Sequence, residues 1–284
     1  MQISHLKALG KPVWGEAQEI CGIIEAAQKR GVTVYADQYP YNASSTWLAA
    51  AVVPRWAQAD GKMRDHLRNA SELIKIKEEI ADNIERRGGA DTLIISWLPE
   101  RREFEGKNLK DISLLMKKSP VDAAIELLLV GDPSIIAFDM VNSDVEYFMK
   151  QPYVMTSSDG EIPLFGQGLP HPRTYGTFTR KIRAYVLDRE ILSLEHAVRA
   201  ATGLPATMLG FKDRGLVREG YIADITIFDS SKIRDRATYE KPHQYSEGID
   251  YVLIDGKTVI DNGVFTGILA GKPLARSKPS NSLR

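Results

Sequence analysis

The sequence predicts an α/β protein with a smaller β-rich end. Three observations carry that reading. Residues 15–46 run helix, strand, loop, the rhythm of α/β folds. A second junction of the same kind, strand into small-residue loop, recurs at Tyr153–Gly160. From Gly215 onward helical spacing gives way to alternation of apolar and polar residues, the period of an antiparallel sheet.

The elements follow in order. Ile3-Ser4-His5 reads as the end of a strand that opens almost at the first residue. Over 15–31, Ile20, Ile23, Ile24 and Ala27 make one apolar helix face, and Gly31 closes it. Val32–Asp37 is rich in strand formers, and Gln38–Thr46 reads as a loop. A helix over Ser71–Arg87 carries the stripe Leu73, Ile76, Ile80, Ile84 and stops at Gly88-Gly89. Asp91–Leu98 is a strand. Ser119-Pro120-Val121-Asp122 is a helix start, with a capping Ser, Pro in the first position and an acid in the first turn. Gly131 ends that helix; Ser134–Phe138 is a strand, and Asn142–Lys150 is a helix capped by Asn142 or Ser143. Ile162–Tyr175 is a Gly/Pro-rich loop too long for a plain connector. Helices follow over Ser193–Thr202 and Pro205–Leu209. Ala223–Asp229 and Tyr251–Ile254 alternate, and Asp255-Gly256 is a hairpin turn into Lys257–Ile260. Ala275–Arg284 reads as a frayed polar tail. About a hundred residues, 47–150, separate the two strand-to-loop junctions, far more than one βαβ crossover needs, so they read as an insertion.

Composition excludes several classes. In 284 residues, 37 Lys+Arg balance 37 Asp+Glu, so the chain lacks the one-signed field of a general nucleic-acid binder. Hydrophobic content of 43% and charged content of 26% are those of a globular domain. No apolar run approaches the ~20 residues that span a bilayer. The one cysteine, Cys21, allows neither an intrachain disulfide nor a Cys-rich zinc cage. It fits a reducing compartment, and with no leader-like start the cytoplasm is the expected location.

In parallel α/β folds, chemistry collects at the carboxyl ends of strands. Three such ends are visible: Ile3–Lys7, Asp37–Thr46 and Thr156–Gly160. His5 is a candidate divalent-metal ligand or a hydrogen-bonded structural histidine. Asp159 is a candidate ligand or general base, or a turn cap. Lys7, Tyr39, Ser45 and Arg173 would sit on loops at the same face and could clamp a carboxylate. His66, His196 and His243 have no patterned neighbours and read as structural or exposed. The flanks of Ser157 and Ser158 lack the first glycine of a nucleophile elbow, and Gly166-Gln167-Gly168 lacks the ending and context of a phosphate loop.

Taken in chain order, these segments identify a resemblance. Ile3-Ser4-His5-Leu6-Lys7, Asp37-Gln38-Tyr39-Pro40-Tyr41 with Ala43–Thr46, Ser158-Asp159-Gly160, His171-Pro172-Arg173 with Gly176-Thr177-Phe178, Gly220–Asp224 and Val252–Gly256 together resemble the N-acyl-D-amino-acid deacylases (D-aminoacylases) of the amidohydrolase superfamily.

The resemblance implies a partial (β/α)8 TIM barrel, strands six to eight, with an α-rich insertion and a C-terminal portion of a small β-sandwich. Residues 1–46 would hold strands six and seven, 47–150 the insertion after strand seven, 151–214 strand eight and its helices, and 215–284 the sandwich portion and tail. It further implies that His5 is a ligand of Zn2+, which makes hydroxide available and polarises the amide carbonyl. Asp159 would be the acid/base that moves a proton to the leaving amine. Lys7, Tyr39, Ser45 and Arg173 would hold the carboxylate of an N-acyl-D-amino acid, with His171 in the same loop as a possible helper. The family's His-x-His, its metal-binding Cys and its strand-five His are absent from this sequence, and Cys21 lies within a helix. The chain is therefore expected to need a missing N-terminal half of the barrel and to be inactive alone. A cyclic-amide hydrolase fragment of hydantoinase or dihydroorotase type, and a non-catalytic oligomerising remnant, are the other expectations. Neither a nucleic-acid partner nor a membrane partner is expected.

Overall fold

The computed structural model describes residues 1–274; the tail expected to fray, Ala275–Arg284, lies outside them. Three small sheets organise the chain. The first is parallel and has the order β1 (Gln2–Ile3), β2 (Tyr35–Gln38), β6 (Val154–Thr156). Gln2 pairs with Tyr35, and Asp37 pairs with Met155, so the carboxyl ends of all three strands emerge side by side. Helix α1 (Ala17–Lys29) covers this sheet with Cys21 and Ile24, against Val34, Ala36, Phe148 and Val154. Burying Ile24, Val34, Phe148 or Val154 stabilises by roughly 1.5–3 kcal/mol each. Helix α8 (Asn142–Met149) packs beside α1. Its Asp144 carboxylate accepts from the Gly15 and Ala17 N–H groups at 2.8 and 3.4 Å, capping the donor end of α1.

Several boundaries differ from the sequence reading, two of them at β2 and just after it. The strand expected over Val32–Asp37 begins at Tyr35, because only there does the chain meet the ladder of β1 and β6. The loop expected over Gln38–Thr46 ends early: Ser44–Trp47 is strand β3. It pairs antiparallel with β5 (Ser134–Ala137), which in turn pairs with β4 (Leu93–Trp97), giving a second sheet of order β3-β5-β4.

This second sheet has its own core. Short helices α2 (Leu48–Val52), α3 (Arg55–Gln58) and α4 (Met63–Arg68) lead into α5 (Ala70–Arg86), and α6 (Leu109–Leu115) leads into α7 (Pro120–Val130). Ile76, Ile80 and Ile84 of α5, Leu127 and Leu128 of α7, and Leu93, Ile95 and Ile135 of the strands are buried together. The expected start of α7 is present: Ser119 Oγ accepts from the Asp122 N–H at 3.0 Å, a cap worth ~1 kcal/mol. That of α8 is not, since Val141 precedes it and no side chain caps it.

The connection from β6 does not stay a loop to Tyr175. Helix α9 (Arg173–Arg180) starts at Arg173 and continues as a π-helical stretch over Lys181–Leu187. Helices α10 (Leu194–Ala201), capped by Ser193, and α11 (Gly203–Leu209) follow. The third sheet is antiparallel, of order β10 (Val264–Phe265), β9 (Lys257–Asp261), β8 (Ile249–Ile254), β7 (Ile225–Phe228). Asp255 and Gly256 both have positive φ, 52° and 73°, as the tight β8–β9 hairpin requires. Among the described residues no helix is long and apolar enough to cross a membrane.

Candidate active site

The parallel sheet delivers the site. Beyond β1 the Leu6 N–H donates to Asp37 O at 2.8 Å, and beyond β6 the Ser157 N–H donates to Gln38 O at 3.0 Å, so the ladder runs on to the residues of interest. At His5 and at Asp159 the backbone turns into the left-handed region, φ 41° and 46°. Non-glycine residues adopt that region at a cost, so both are held there by their surroundings. For His5 the holder is Asp37, buried, whose Oδ1 accepts from the His5 N–H at 2.8 Å and whose Oδ2 accepts from Gln2 Nε2. Asp37 opens the second strand end picked out in the sequence, but no local signal marks it as the holder of His5, thirty-two residues away.

Four of the expected residues meet. Arg173, 6% exposed, places Nη1 2.9 Å from Asp159 Oδ2 and its guanidinium carbon 4.5 Å from the centre of the Tyr39 ring. Lys7 Nζ stands 5.4 Å from the same ring centre. Burial pulls the Lys7 ammonium down to about 8, against the pull of Asp159, and Arg173 adds to the lowering. The Tyr39 ring is buried, its hydroxyl has no aligned hydrogen-bond partner, and burial raises its pKa. Two cations and a phenol at one strand end are the donor types that hold a carboxylate.

His5 joins the group through Lys7, whose Nζ donates to His5 Nδ1 at 2.9 Å; the imidazole is otherwise exposed. Ser45 and Arg173 are not on loops as expected. Ser45 sits on β3 opposite Ile136, and Arg173 is the first residue of α9. Ser45 nonetheless shares a cavity of about 250 Å³ with Asp159 and Arg173. Sequence reasoning missed the other walls from the second sheet, Trp47, Ser96, Trp97 and Ser134, because nothing in their local spacing ties them to a site that forms only on folding.

His171 is buried and fully engaged. Its Nε2–H donates to Ala43 O at 3.0 Å and its Nδ1 accepts from the Arg173 N–H at 3.0 Å. Tyr41 and Tyr239 present ring contacts at 5.1 and 5.3 Å. Burial, with Arg173 beside it, holds its pKa well below the usual imidazole range. The ring is thus neutral and anchors the start of α9, leaving no nitrogen for proton transfer. The other histidines are also tied: His66 to Glu72, His196 to Met149 O, and His243 to Gln167 O and Gly168 O.

A catalytic zinc takes three protein ligands. Among the described residues no group of three or more His, Cys, Asp or Glu could hold a metal ion. His5 offers one free ring nitrogen and Asp159 is paired with Arg173. The donors of this chain alone do not fit a zinc site.

The amidohydrolase family matches residues 146–260. The D-aminoacylase of Alcaligenes xylosoxydans xylosoxydans is 34% identical over 275 residues, 97% of this chain and 48% of that protein. The N-acyl-D-glutamate deacylase of the same organism is 33% identical over 257 residues, 90% of this chain and 44% of the other. A D-aminoacylase crystal structure superposes with a TM-score of 0.75 at 31% identity, over 95% of this chain and 48% of that one. The N-acyl-D-glutamate deacylase of Bordetella bronchiseptica, solved with zinc and a phosphonate mimic of the tetrahedral intermediate, superposes with a TM-score of 0.71 at 31% identity, over 91% of this chain and 46% of that one. In sequence and fold the chain is similar to amidohydrolases. Within them it resembles the N-acyl-D-amino-acid deacylases, over nearly all of its own residues. The chain spans about half the length of the curated relatives it matches.

Proposed function

We propose that the chain carries the substrate-anchoring and proton-transfer residues of an enzyme that hydrolyses N-acyl-D-amino acids to a carboxylate and a D-amino acid. In this reading β1, β2 and β6 are strands six to eight of a (β/α)8 barrel. The body around the second sheet is inserted after strand seven, and β7–β10 are part of a β-sandwich. The observation that carries the reading is the convergence of Lys7, Tyr39 and Arg173 beside Asp159 at the carboxyl ends of the parallel strands.

The roles follow from charge and position. Arg173 and Lys7 attract the substrate carboxylate, with the Tyr39 and Ser45 hydroxyls as further donors. Anchored there, the amide lies next to Asp159, which accepts a proton from the attacking water and passes it to the leaving nitrogen as the C–N bond breaks. His5 is the one zinc ligand this chain would contribute. The remaining ligands would come from the portion of the relatives' length that it does not span, and the isolated chain is accordingly inactive. Hydantoin brings no free carboxylate for Arg173 and Lys7, so this cluster favours the open-chain substrate over it.

Calorimetric titration tests the reading. N-acetyl-D-leucine should bind the purified chain measurably, while the matching N-acetylamine without a carboxylate, and hydantoin, should not. Equal binding of the carboxylate-free analogue would show that the clamp is misassigned.

A further inference from the structure

The loop between β6 and α9 supplies much of the cavity wall, including Leu164, Gln167 and Gly168, yet residues 157–172 contain neither helix nor strand. One side of its tip is set by the second sheet: the Leu169 N–H donates to Ser96 O at 2.9 Å. Gly168, with φ 63°, passes so close to Trp97 that a Cβ there would lie 2.6 Å from the indole. The other side is set from a distant part of the chain. Residues 229–248 join β7 to β8 with no helix or strand beyond one antiparallel bridge, Arg234 to Glu247, a length that connectors usually reach only for a purpose. From this connector His243 Nε2–H reaches both Gln167 O and Gly168 O, each at 3.1 Å. Its Nδ1 accepts from the Tyr175 hydroxyl at 3.0 Å, which fixes the ring's orientation. Tyr245, two residues on, stacks on Phe165 of the same tip, 5.5 Å between centres and 18° between planes.

We propose that His243 is a positioning residue for the substrate cavity, acting through the Gln167 and Gly168 carbonyls to fix the loop tip that walls it. The proposal rests on the reading of this cavity as the place where substrate binds. The loop tip is clamped between Trp97 and His243. With the His243 side released, Leu164 and Gln167 lose their fixed places while Arg173, Asp159 and Tyr39, held by other elements, keep theirs.

The test compares the 284-residue chain with His243→Ala, His243→Gln and Tyr175→Phe. Glutamine can still donate to the two carbonyls and accept from Tyr175. Amide hydrogen exchange should quicken about 10-fold over 161–170 in His243→Ala, the scale of one lost hydrogen bond, and return toward wild type in His243→Gln. Exchange within α5 should not change. N-acetyl-D-leucine affinity, read by calorimetry, should fall about 10-fold in His243→Ala, recover in His243→Gln, and fall by less in Tyr175→Phe. Unchanged exchange over 161–170, or faster exchange with unchanged affinity, would overturn the proposal. If the wild-type chain binds no N-acyl-D-amino acid, the reading of the cavity fails and the positioning role with it; the exchange data separate that outcome from a failed latch.

Discussion

Arg173 and Asp159 form an ion pair 2.9 Å across, joining the first residue of α9 to the turn after β6. The pair is lopsided: the guanidinium is buried, whereas the carboxylate is about one-third exposed. Arg173 thus keeps its orientation while Asp159 stays open to water and substrate. Replacing Arg173 by Met should lower N-acetyl-D-leucine affinity on the order of 10- to 100-fold, the range for a charged hydrogen bond. Lysine should restore little of it, because an ammonium cannot reproduce the planar fork over Tyr39. Calorimetry on the three proteins decides.

Tyr39→Phe separates binding from stability. The hydroxyl is buried and lacks an aligned partner, so its removal should leave the chain equally stable or more stable by about 0.5–1 kcal/mol. The same change should weaken carboxylate binding. Urea denaturation and titration of one variant give both readings; a loss of stability without a loss of affinity would remove Tyr39 from the site.

Arg87 and Asp139 pair inside the second body, and the Asp139 carbonyl joins it to the segment after β1. They pair at 2.5 Å, Asp139 wholly buried; Ser44 Oγ–H donates to the same carboxylate at 2.9 Å, and the Gly10 N–H donates to the Asp139 carbonyl at 2.8 Å. Burial raises the Asp139 pKa, with Arg87 opposing the rise. Arg87→Met alone should cost about 3–5 kcal/mol, because it leaves a buried carboxylate unpaired. The double change Arg87→Met with Asp139→Leu should recover most of that loss in denaturant melts.

Lys181 gives a pH signature. It is buried at the start of the π-helical stretch, donates to Thr156 Oγ1 at 2.8 Å, and burial pulls it from 10.5 to about 8. Between those values the unfolded chain binds more protons than the folded chain, so this residue's contribution makes stability rise from about pH 8 to 10.5. Below about 8 both states carry the charge and the full cost of burying it is present. Lys181→Met should therefore stabilise the chain at pH 7, by on the order of 2 kcal/mol, and flatten that rise. Melting curves of both proteins from pH 7 to 10 check the sign.

Metal retention tests the incomplete donor set. Dialysed after exposure to zinc, the chain should keep well below one equivalent, and it should not turn over N-acetyl-D-amino acids with zinc added. Elemental analysis together with an amine-release assay settles both; stoichiometric zinc with turnover would mean that the ligands lie within this chain after all.

Legible along the chain were the helices with clear stripes and caps, the three strand ends in their order, and the residue types a carboxylate clamp needs. These are local properties: a 3–4 spacing, a capping Ser119, a turn at Asp255-Gly256. The partnerships came only with folding. Ser44–Thr46 reads as loop because so short a polar run carries no apolar alternation of its own; β5, some ninety residues on, supplies the ladder that makes it strand. Arg173 begins a helix because His171 locks against Ala43 from far along the chain, anchoring the turn that a Gly/Pro-rich stretch would otherwise leave open. His243 looked featureless for the same reason. Its function depends on two backbone carbonyls about seventy-five residues away, and no local pattern records a contact that exists only when the chain folds.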